Sequence, residues 1–283
     1  MRRFILLLKL AAWAIPVLLT LPFHLVALEI GGRAAGIAPV IWRRVALFVL
    51  RVRVIVTGRP AEQRPLLLLS NHSSWLDIVV LGAILPLSFV SKKEVADWPF
   101  LGMLSKLERT VFIDRERRQA TGAAAELVGR RLSEGDVIVL FAEGTSNDGN
   151  RVLPFRSALV GAAQKALVNS GTAWVQPVAI AYPRMLGLPV GRQHRPEVAW
   201  YGDLDLVPHL KNLLEKGGID AQVIFGPARQ LPAGADRKKV AEETGQLVRR
   251  LVAGLNAGRA PEALLAEAEA EPAAAEAVEA ERV

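Results

Sequence analysis

Residues 66–77 read LLLLSNHSSWLD, and this stretch decides the fold class. Leu66–Leu69 is apolar at every position, which is typical of a strand buried on both faces of a parallel sheet. Ser73 and Ser74 are residue types that commonly begin helices, and residues 76–85 have helical character. A buried strand followed at once by a helix is the repeating unit of an α/β fold.

The same alternation continues on both sides of this stretch. The patterns predict strands at 51–58, 87–92, 110–114, 136–141, 174–182 and 221–226, and helices at 115–133, 156–169 and 236–257. The sequence therefore predicts an α/β catalytic domain over residues 51–258. Its central sheet is expected to be largely parallel and covered by helices on both faces.

A long apolar segment precedes this domain. Residues 10–30 contain no Lys or Arg, and 21 residues of helix match the hydrocarbon thickness of a bilayer. A cleaved signal peptide is the alternative, because Arg2 and Arg3 precede the segment. The run is too long for that, and no small-residue cleavage site is followed by a polar start. Residues 1–50 are therefore predicted to be a membrane anchor.

The flanking charges leave two arrangements of this anchor open. More basic residues follow the apolar segment than precede it, which favours a span with the catalytic domain on the cytoplasmic side. Basic residues on both flanks also fit a re-entrant or interfacial helix pair, with the amphipathic residues 39–50 as its second member. The fold prediction therefore includes an N-terminal membrane-embedded helix or helix pair.

Charge and composition restrict the class of partner. The net charge of the chain is +7. Residues 261–283 hold seven Glu and one Arg, a charge of −6, so residues 1–260 carry a charge of +13. That excess suits nucleic acid, an anionic membrane surface or anionic substrates. Nucleic acid is disfavoured because basic residues do not alternate with aromatic ones. The chain has no cysteine, which excludes disulfides, a thiolate nucleophile and Cys-based metal sites.

The Ala- and Glu-rich tail, residues 259–283, is expected to have no fixed structure. It contains two prolines and shows no apolar stripe.

His72 and Asp77 are the candidate catalytic residues. His72 follows the buried strand directly, at the carboxyl end where open α/β sheets bind ligands, and Asp77 lies in the first turn of the next helix. A carboxylate that holds one imidazole nitrogen fixes the tautomer and makes the other nitrogen a better base. The plainer interpretation is a polar turn in which both residues cap the helix.

Further candidates stand at the ends of other predicted strands. Glu143, Gly144 and Thr145 follow strand 136–141, and glycine there lets the backbone approach a ligand closely. Arg115 can grip a phosphate or a carboxylate, and Lys92 ends another strand. Ordinary turns and solvated surface charges are the alternatives at each of these positions.

Together these blocks resemble the glycerophospholipid acyltransferase family, which includes the 1-acylglycerol-3-phosphate acyltransferases. The family's His-x-x-x-x-Asp, Ile-Asp-Arg, Pro-Glu-Gly-Thr and later strand blocks fall in order at His72–Asp77, Phe112–Arg115, Glu143–Thr145 and Val175–Ile180. Ala142 replaces the proline of the third block, and no reactive group is lost. The resemblance covers about residues 50–230.

The resemblance implies an O-acyltransferase with His72 and Asp77 as the catalytic dyad. Lys92, Arg115, Glu143, Gly144 and Thr145 would bind substrate or stabilise the oxyanion. It implies an acyl-ACP or acyl-CoA co-substrate, a lysolipid acceptor, and no metal or other cofactor. The bacterial inner (cytoplasmic) membrane is the implied location, with the catalytic domain on its cytoplasmic face.

Residues 144–163 are similar to the bacterial branch that acylates lyso-ornithine lipid, in which Asp148 and Asn150 would serve the head-group amine. Lysophosphatidate is the alternative acceptor. Two other classes were weighed. A Ser hydrolase would need a G-x-S-x-G elbow, which the sequence lacks, and a non-catalytic membrane scaffold would not need His72 or Asp77.

Overall fold

The structure is a computed structural model, and it describes residues 2–98, 101–113, 118–161, 173–231 and 234–280. Its strands are β1 Val52–Thr57, β2 Leu66–Ser70, β3 Ser88–Lys92, β4 Val111–Ile113, β5 Val137–Phe141, β6 Ala173–Met185, β7 Leu188–Pro189, β8 Ile219–Phe225 and β9 Arg229–Leu231. Its long helices are α1 Arg2–Ile30, α2 Ile37–Leu50, α3 Leu76–Ile84, α4 Leu101–Leu107, α5 Arg118–Ser133, α6 Leu206–Lys216, α7 Arg237–Asn256 and α8 Pro261–Ala280. Residues 157–161 are helical, and the remainder of the helix predicted at 156–169 lies outside the described residues.

The described strands form one sheet in the order β1-β8-β6-β2-β5-β3-β4, with β7 and β9 paired to β6. Strands β6, β2, β5, β3 and β4 are parallel to one another, as predicted. Strands β1 and β8 are also parallel to each other, but β8 runs antiparallel to β6. The sheet is thus mixed, with a parallel core.

Helices cover both faces of the sheet, which confirms the predicted architecture. The alternation of side chains along β2 divides its four leucines between the two faces. Leu66 and Leu68 pack in the core that includes residues of α2, α3 and α6. Leu67 and Leu69 pack in the opposite core, with residues of α5, α7 and α8. All four leucines are fully buried, which explains why this strand is apolar at every position.

Among the described residues, α1 is the one helix long and apolar enough to cross a membrane. It nevertheless contacts the catalytic domain at two places. Lys9 donates to the carbonyl of Leu214 in α6, and His24 Nε2 donates to the carbonyl of Leu107 in α4 at 2.9 Å. Lys9 and His24 are separated by about 22 Å of helix, so α1 lies along the domain.

A buried ion pair joins the anchor to the rest of the chain. Arg43 of α2 lies 2.8 Å from Glu108, and both side chains are almost completely buried. The guanidinium packs over Gly82 of α3, where a Cβ atom would come within 2.4 Å of it. Breaking a buried pair of this kind costs about 3–5 kcal/mol, so this contact holds α2 to the residue that follows α4.

The tail is more ordered than the sequence predicted. Residues 261–280 form α8, and Leu264 and Ala268 are buried against the domain. A Cβ atom at Gly254 of α7 would lie 2.4 Å from Leu264, so that glycine permits the close approach of the two helices. Two apolar side chains one turn apart were too short a stripe to recognise in the sequence.

Candidate active site

The carboxyl ends of β2, β5, β3 and β4 meet at one edge of the sheet. Ser70 at the end of β2 is level with Phe141 at the end of β5, and Lys92 of β3 is level with Ile113 of β4. The described candidate residues at the ends of these strands therefore share one edge. Lys92 is exposed there, and its substrate-binding role stays a prediction. Arg115 lies outside the described residues.

His72 and Asp77 are in direct contact. His72 Nδ1 lies 2.8 Å from Asp77 Oδ2, because α3 begins at Leu76 and brings the carboxylate back over the turn. The imidazole stacks on Phe141, with ring centroids 4.0 Å apart and planes 15° from parallel. The His72 side chain is 17% exposed, whereas Asp77 is completely buried. One face and one edge of the imidazole are therefore fixed.

Asp77 accepts three further hydrogen bonds, which hold the carboxylate rigidly. The backbone N–H groups of Ser73 and Ser74 donate to Oδ2 at 2.7 and 2.9 Å, and the Tyr182 hydroxyl donates to Oδ1 at 2.6 Å. Burial and the Asp77 charge raise the pKa of Tyr182 well above its ordinary value, so the hydroxyl keeps its proton. With its carboxylate ionised, Asp77 requires the proton on His72 Nδ1. Nε2 is then left as the basic nitrogen.

Glu143 does not face a substrate space as predicted. It is 1% exposed, and all its hydrogen bonds are internal. Oε1 accepts from the N–H of His72 at 2.7 Å, and Oε2 accepts from Asn147 Nδ2 and from the N–H of Leu153, both at 2.7 Å. Glu143 therefore fixes the loop that follows β5 to the backbone of His72. Its burial against these donors, which no sequence pattern shows, is the reason for the correction.

Gly144 and Thr145 differ in what they offer a ligand. Gly144 has φ +75°, and a Cβ atom there would lie 3.0 Å from Arg156, so glycine is required for the turn. Its N–H donates to the carbonyl of Phe141 at 3.0 Å and is not a free oxyanion donor, contrary to the prediction. Thr145 is exposed, and its role stays a prediction.

Three residues that sequence reasoning did not single out complete the site. Asn71 bridges β2 to β6, since its side chain donates to the carbonyl of Ile180 and accepts from the Ile180 N–H, both at 2.9 Å. Asn147 donates to the His72 carbonyl at 3.1 Å through its side chain. Tyr182 reaches Asp77 from β6. Asn71 could have been recognised from the sequence because it directly precedes His72. Nothing in the sequence pairs Tyr182 with Asp77.

Glu143→Gln is expected to remove part of the pH dependence of stability. Burial raises the pKa of Glu143 from 4.5 to about 7, against the lowering effect of its hydrogen bonds. The folded state therefore binds this proton more tightly than the unfolded chain does. The carboxyl lowers the free energy of unfolding as the pH rises from about 4.5 to about 7, and adds no change above that. When thermal unfolding is measured across this pH range, the contribution of Glu143 to the change of stability with pH should be missing from the variant.

The glutamine also costs stability above pH 7, because its NH₂ group cannot accept a hydrogen bond. One of the three N–H donors then loses its partner, at about 1–3 kcal/mol. Glu126→Gln, which removes an exposed carboxylate on α5, is the matched control. If stability changed with pH in Glu143→Gln as it does in the wild type and in the control, Glu143 would not contribute to the pH dependence of folding.

Comparison with known proteins identifies the class of enzyme. The family model described as Acyltransferase matches residues 52–181, which contain the dyad and all the loops described above. Together with the two relatives described next, this match shows that the chain belongs to the acyltransferase family and is an O-acyltransferase enzyme.

Particular relatives are named after one acceptor. A lyso-ornithine lipid O-acyltransferase of Rhizobium meliloti is 41% identical over 91% of this chain and 88% of its own length. One of Brucella abortus is 45% identical over 84% of this chain and 90% of its own length. The crystal structure of a 1-acyl-sn-glycerophosphate acyltransferase from Thermotoga maritima has a TM-score of 0.61 and 20% identity. It aligns over 91% of this chain and 98% of its own length, and shows the fold.

Proposed function

We propose that this enzyme transfers a fatty acyl group from a thioester to the free hydroxyl of lyso-ornithine lipid. His72 is the general base, and Asp77 orients it. The observation that carries the proposal is the 2.8 Å contact of His72 Nδ1 with a buried carboxylate, which leaves Nε2 as the base. The relatives named lyso-ornithine lipid O-acyltransferase, at 41% and 45% identity, support this acceptor.

The dyad suits attack by the hydroxyl of the acceptor. His72 Nε2 takes the hydroxyl proton as the oxygen bonds to the thioester carbonyl carbon. The tetrahedral oxyanion then collapses, the carbon–sulfur bond breaks, and the thiol leaves with the proton from His72. The Thr145 N–H is the candidate oxyanion donor. The test is stoichiometry with a labelled acyl thioester: one thiol should be released for each acylated lipid. Release of free fatty acid in place of acylated lipid would indicate a hydrolase.

The loop that contains Asp148 is bound directly to His72. Asn147 donates to the His72 carbonyl through both its backbone N–H, at 3.2 Å, and its side chain, at 3.1 Å. Asp148 is the next residue along this loop, so its carboxylate follows directly on the attachment to His72. Of the carboxylates on these two loops, Asp77 and Glu143 are buried and engaged, whereas Asp148 is partly exposed.

Asp148 is held in place before any ligand binds. Its oxygens accept from the backbone N–H and the side chain of Asn150, both at 3.0 Å, and Asn150 accepts in turn from Arg195 at 2.9 Å. Partial burial raises the pKa of Asp148, but the Asn150 hydrogen bonds and the charges of Arg151 and Arg192 lower it overall. The carboxylate is therefore ionised and keeps lone pairs free. We assign it to the head-group amine, and Arg151 and Arg192 to the head-group carboxylate.

Asp148→Asn is expected to lower kcat/KM for lyso-ornithine lipid by about 10- to 100-fold, the cost of losing a hydrogen bond to a charged group. Asparagine still accepts from the Asn150 N–H, so the loop stays folded. The same variant should acylate lysophosphatidate faster than the wild type, because a charge that repels phosphate is removed. Asp148→Glu should restore part of the ornithine activity, and Glu126→Gln should change neither rate. Equal losses with both acceptors would contradict the assignment.

Two acyl donors fit the charge of the protein. The +13 carried by residues 1–260 suits the phosphates of coenzyme A as well as an acidic acyl carrier protein. We propose that the donor is an acyl thioester of one of these two carriers. Parallel assays with the same acyl chain on each carrier separate them.

The apolar helix α1 supports a membrane location for this reaction. The outward face of α1 exposes Phe4, Leu18, Leu19, Phe23 and Ile30, which is the pattern of a helix whose apolar face lies in lipid. Since α1 lies along the domain, we propose that it lies in the interface of the bacterial inner membrane. The active site would then face the cytoplasm at the level of the lipid head groups.

Lysophosphatidate is the second candidate acceptor. A 1-acyl-sn-glycerol-3-phosphate acyltransferase of Neisseria gonorrhoeae is 31% identical over 69% of this chain and 73% of its own length. In that case Lys92 and Arg115 would be the phosphate ligands.

A further inference from the structure

The turn between β6 and β7 exposes two large apolar side chains. Met185 pairs with Leu188, so Leu186 and Gly187 form a two-residue hairpin turn. Leu186 is 60% exposed and Leu188 is 70% exposed. We define residues 185–189 as the hairpin tip. Nothing in the catalytic site described above requires apolar side chains at this position.

Leu186 has a backbone conformation that disfavours a bulky side chain. Leu186 has φ +53° and Gly187 has φ +81°, both in the left-handed region. Asn or Gly is the usual first residue of such a turn, and a bulky side chain is disfavoured there. An exposed leucine in this conformation gains nothing from water, so it points to an apolar environment around the tip.

The hairpin tip lies beyond the active-site edge of the sheet. Val178 of β6 is level with Ser70, two residues before His72. From Val178, β6 continues to Met185, seven residues further along the strand, or about 23 Å in the same direction. The tip therefore projects beyond the same edge of the sheet at which His72 lies.

The tip is also adjacent to the membrane anchor. The Leu186 N–H donates to the carbonyl of Gly218 at 2.6 Å, immediately after α6. Four residues earlier, the Leu214 carbonyl accepts from Lys9 of α1. A Cβ atom at Gly217 would lie 2.9 Å from the Leu50 carbonyl, at the end of α2. Phe48 in the last turn of α2 is 82% exposed. The Lys9 region of α1, the end of α2 and the tip therefore all lie near residues 214–218.

We propose that the hairpin tip is a second membrane contact, which inserts Leu186 and Leu188 into the bilayer beside the active site. The exposed residues Arg51 and Arg184 flank it and suit anionic lipid head groups. With α1 alone, the domain could rotate about the helix axis. A second contact beyond the sheet edge fixes the site against the lipid surface. This inference rests on the proposed action on a membrane lipid.

The test uses the absence of cysteine from the chain. Full-length Leu188→Cys is labelled with an environment-sensitive fluorophore and added to phosphatidylcholine–phosphatidylglycerol vesicles. Ser133→Cys is the matched control, because Ser133 is exposed just before β5, at the opposite edge of the sheet. We expect a blue shift at position 188 that brominated lipids quench, and no shift at position 133. Equal emission at the two positions would overturn the proposal. So would a blue shift at position 188 that depends on protein concentration without vesicles, because it would indicate a second copy of the chain.

A second experiment measures the activity of the double variant Leu186→Asn with Leu188→Ser. Asparagine suits the left-handed conformation, so the hairpin should fold. The ratio of activity on bilayer acceptor to activity on detergent-dispersed acceptor should fall by about tenfold or more, as expected for leucine side chains withdrawn from lipid. An unchanged ratio would contradict the proposal. Insertion is measured without any acceptor, so failure to acylate lyso-ornithine lipid would refute the proposed function and leave this inference standing.

Discussion

His72→Ala is expected to abolish acyl transfer while the fold survives. General base catalysis contributes about a hundred- to ten-thousand-fold, and alanine leaves no group at Nε2 to take the hydroxyl proton. The imidazole is partly exposed and stacks on Phe141, so its removal leaves a gap at the surface of the site. The measurement is kcat with a labelled thioester at saturating acceptor. Thermal unfolding of the same sample shows whether the variant is folded.

Two controls make this result specific. Phe141→Leu removes the stacking partner and leaves the base, so it should lower activity far less than His72→Ala does. His72→Gln keeps a polar side chain of similar reach and should be as inactive as alanine. Transfer by a folded His72→Ala protein at the wild-type rate would show that another group accepts the proton.

Asp77→Asn is expected to lower kcat by about ten-thousand-fold at neutral pH, the size of effect seen when the orienting carboxylate of a catalytic triad is made an amide. Asp77 accepts from four donors, and an asparagine can accept only through its single oxygen. The oxygen therefore takes the Oδ2 position, where three N–H groups donate, and the NH₂ group faces the Tyr182 hydroxyl. The negative charge that makes His72 Nε2 a stronger base and stabilises the imidazolium is then lost.

Loss of folding is separated from loss of catalysis by Tyr182→Phe. This variant removes the hydroxyl that donates to Asp77 Oδ1 and leaves the His72 contact intact. It should cost about 1.5–3 kcal/mol of stability and little activity. If Tyr182→Phe and Asp77→Asn lost the same fraction of kcat, the assigned role of the Asp77 charge would be wrong.

The predictable part of the structure came from patterns that act locally. Leu66–Leu69 could be predicted as a buried strand because both faces of the sheet are covered. His72 and Asp77 could be placed together because a strand end and a helix start fix a five-residue turn. Parallel strands then bring Glu143 and Lys92 to the same edge as His72.

The remainder depended on tertiary contacts that no local pattern carries. Glu143 could be predicted to emerge at the strand end, but its orientation toward the backbone of His72 depends on the packing of two loops. Tyr182 reaches Asp77 across 105 positions of sequence. The path of α1 along the domain depends on Lys9 and His24, two polar residues whose partners lie in distant helices.

The most direct test of the central claim is a competition between two acceptors. Purified full-length enzyme in detergent receives one labelled acyl thioester with equal amounts of lyso-ornithine lipid and lysophosphatidate, with His72→Ala as the blank. We expect the label to accumulate in ornithine lipid and the blank to label neither product. Preferential formation of phosphatidic acid would contradict the proposed acceptor and the role of Asp148, and labelled product in the blank would contradict the role of His72.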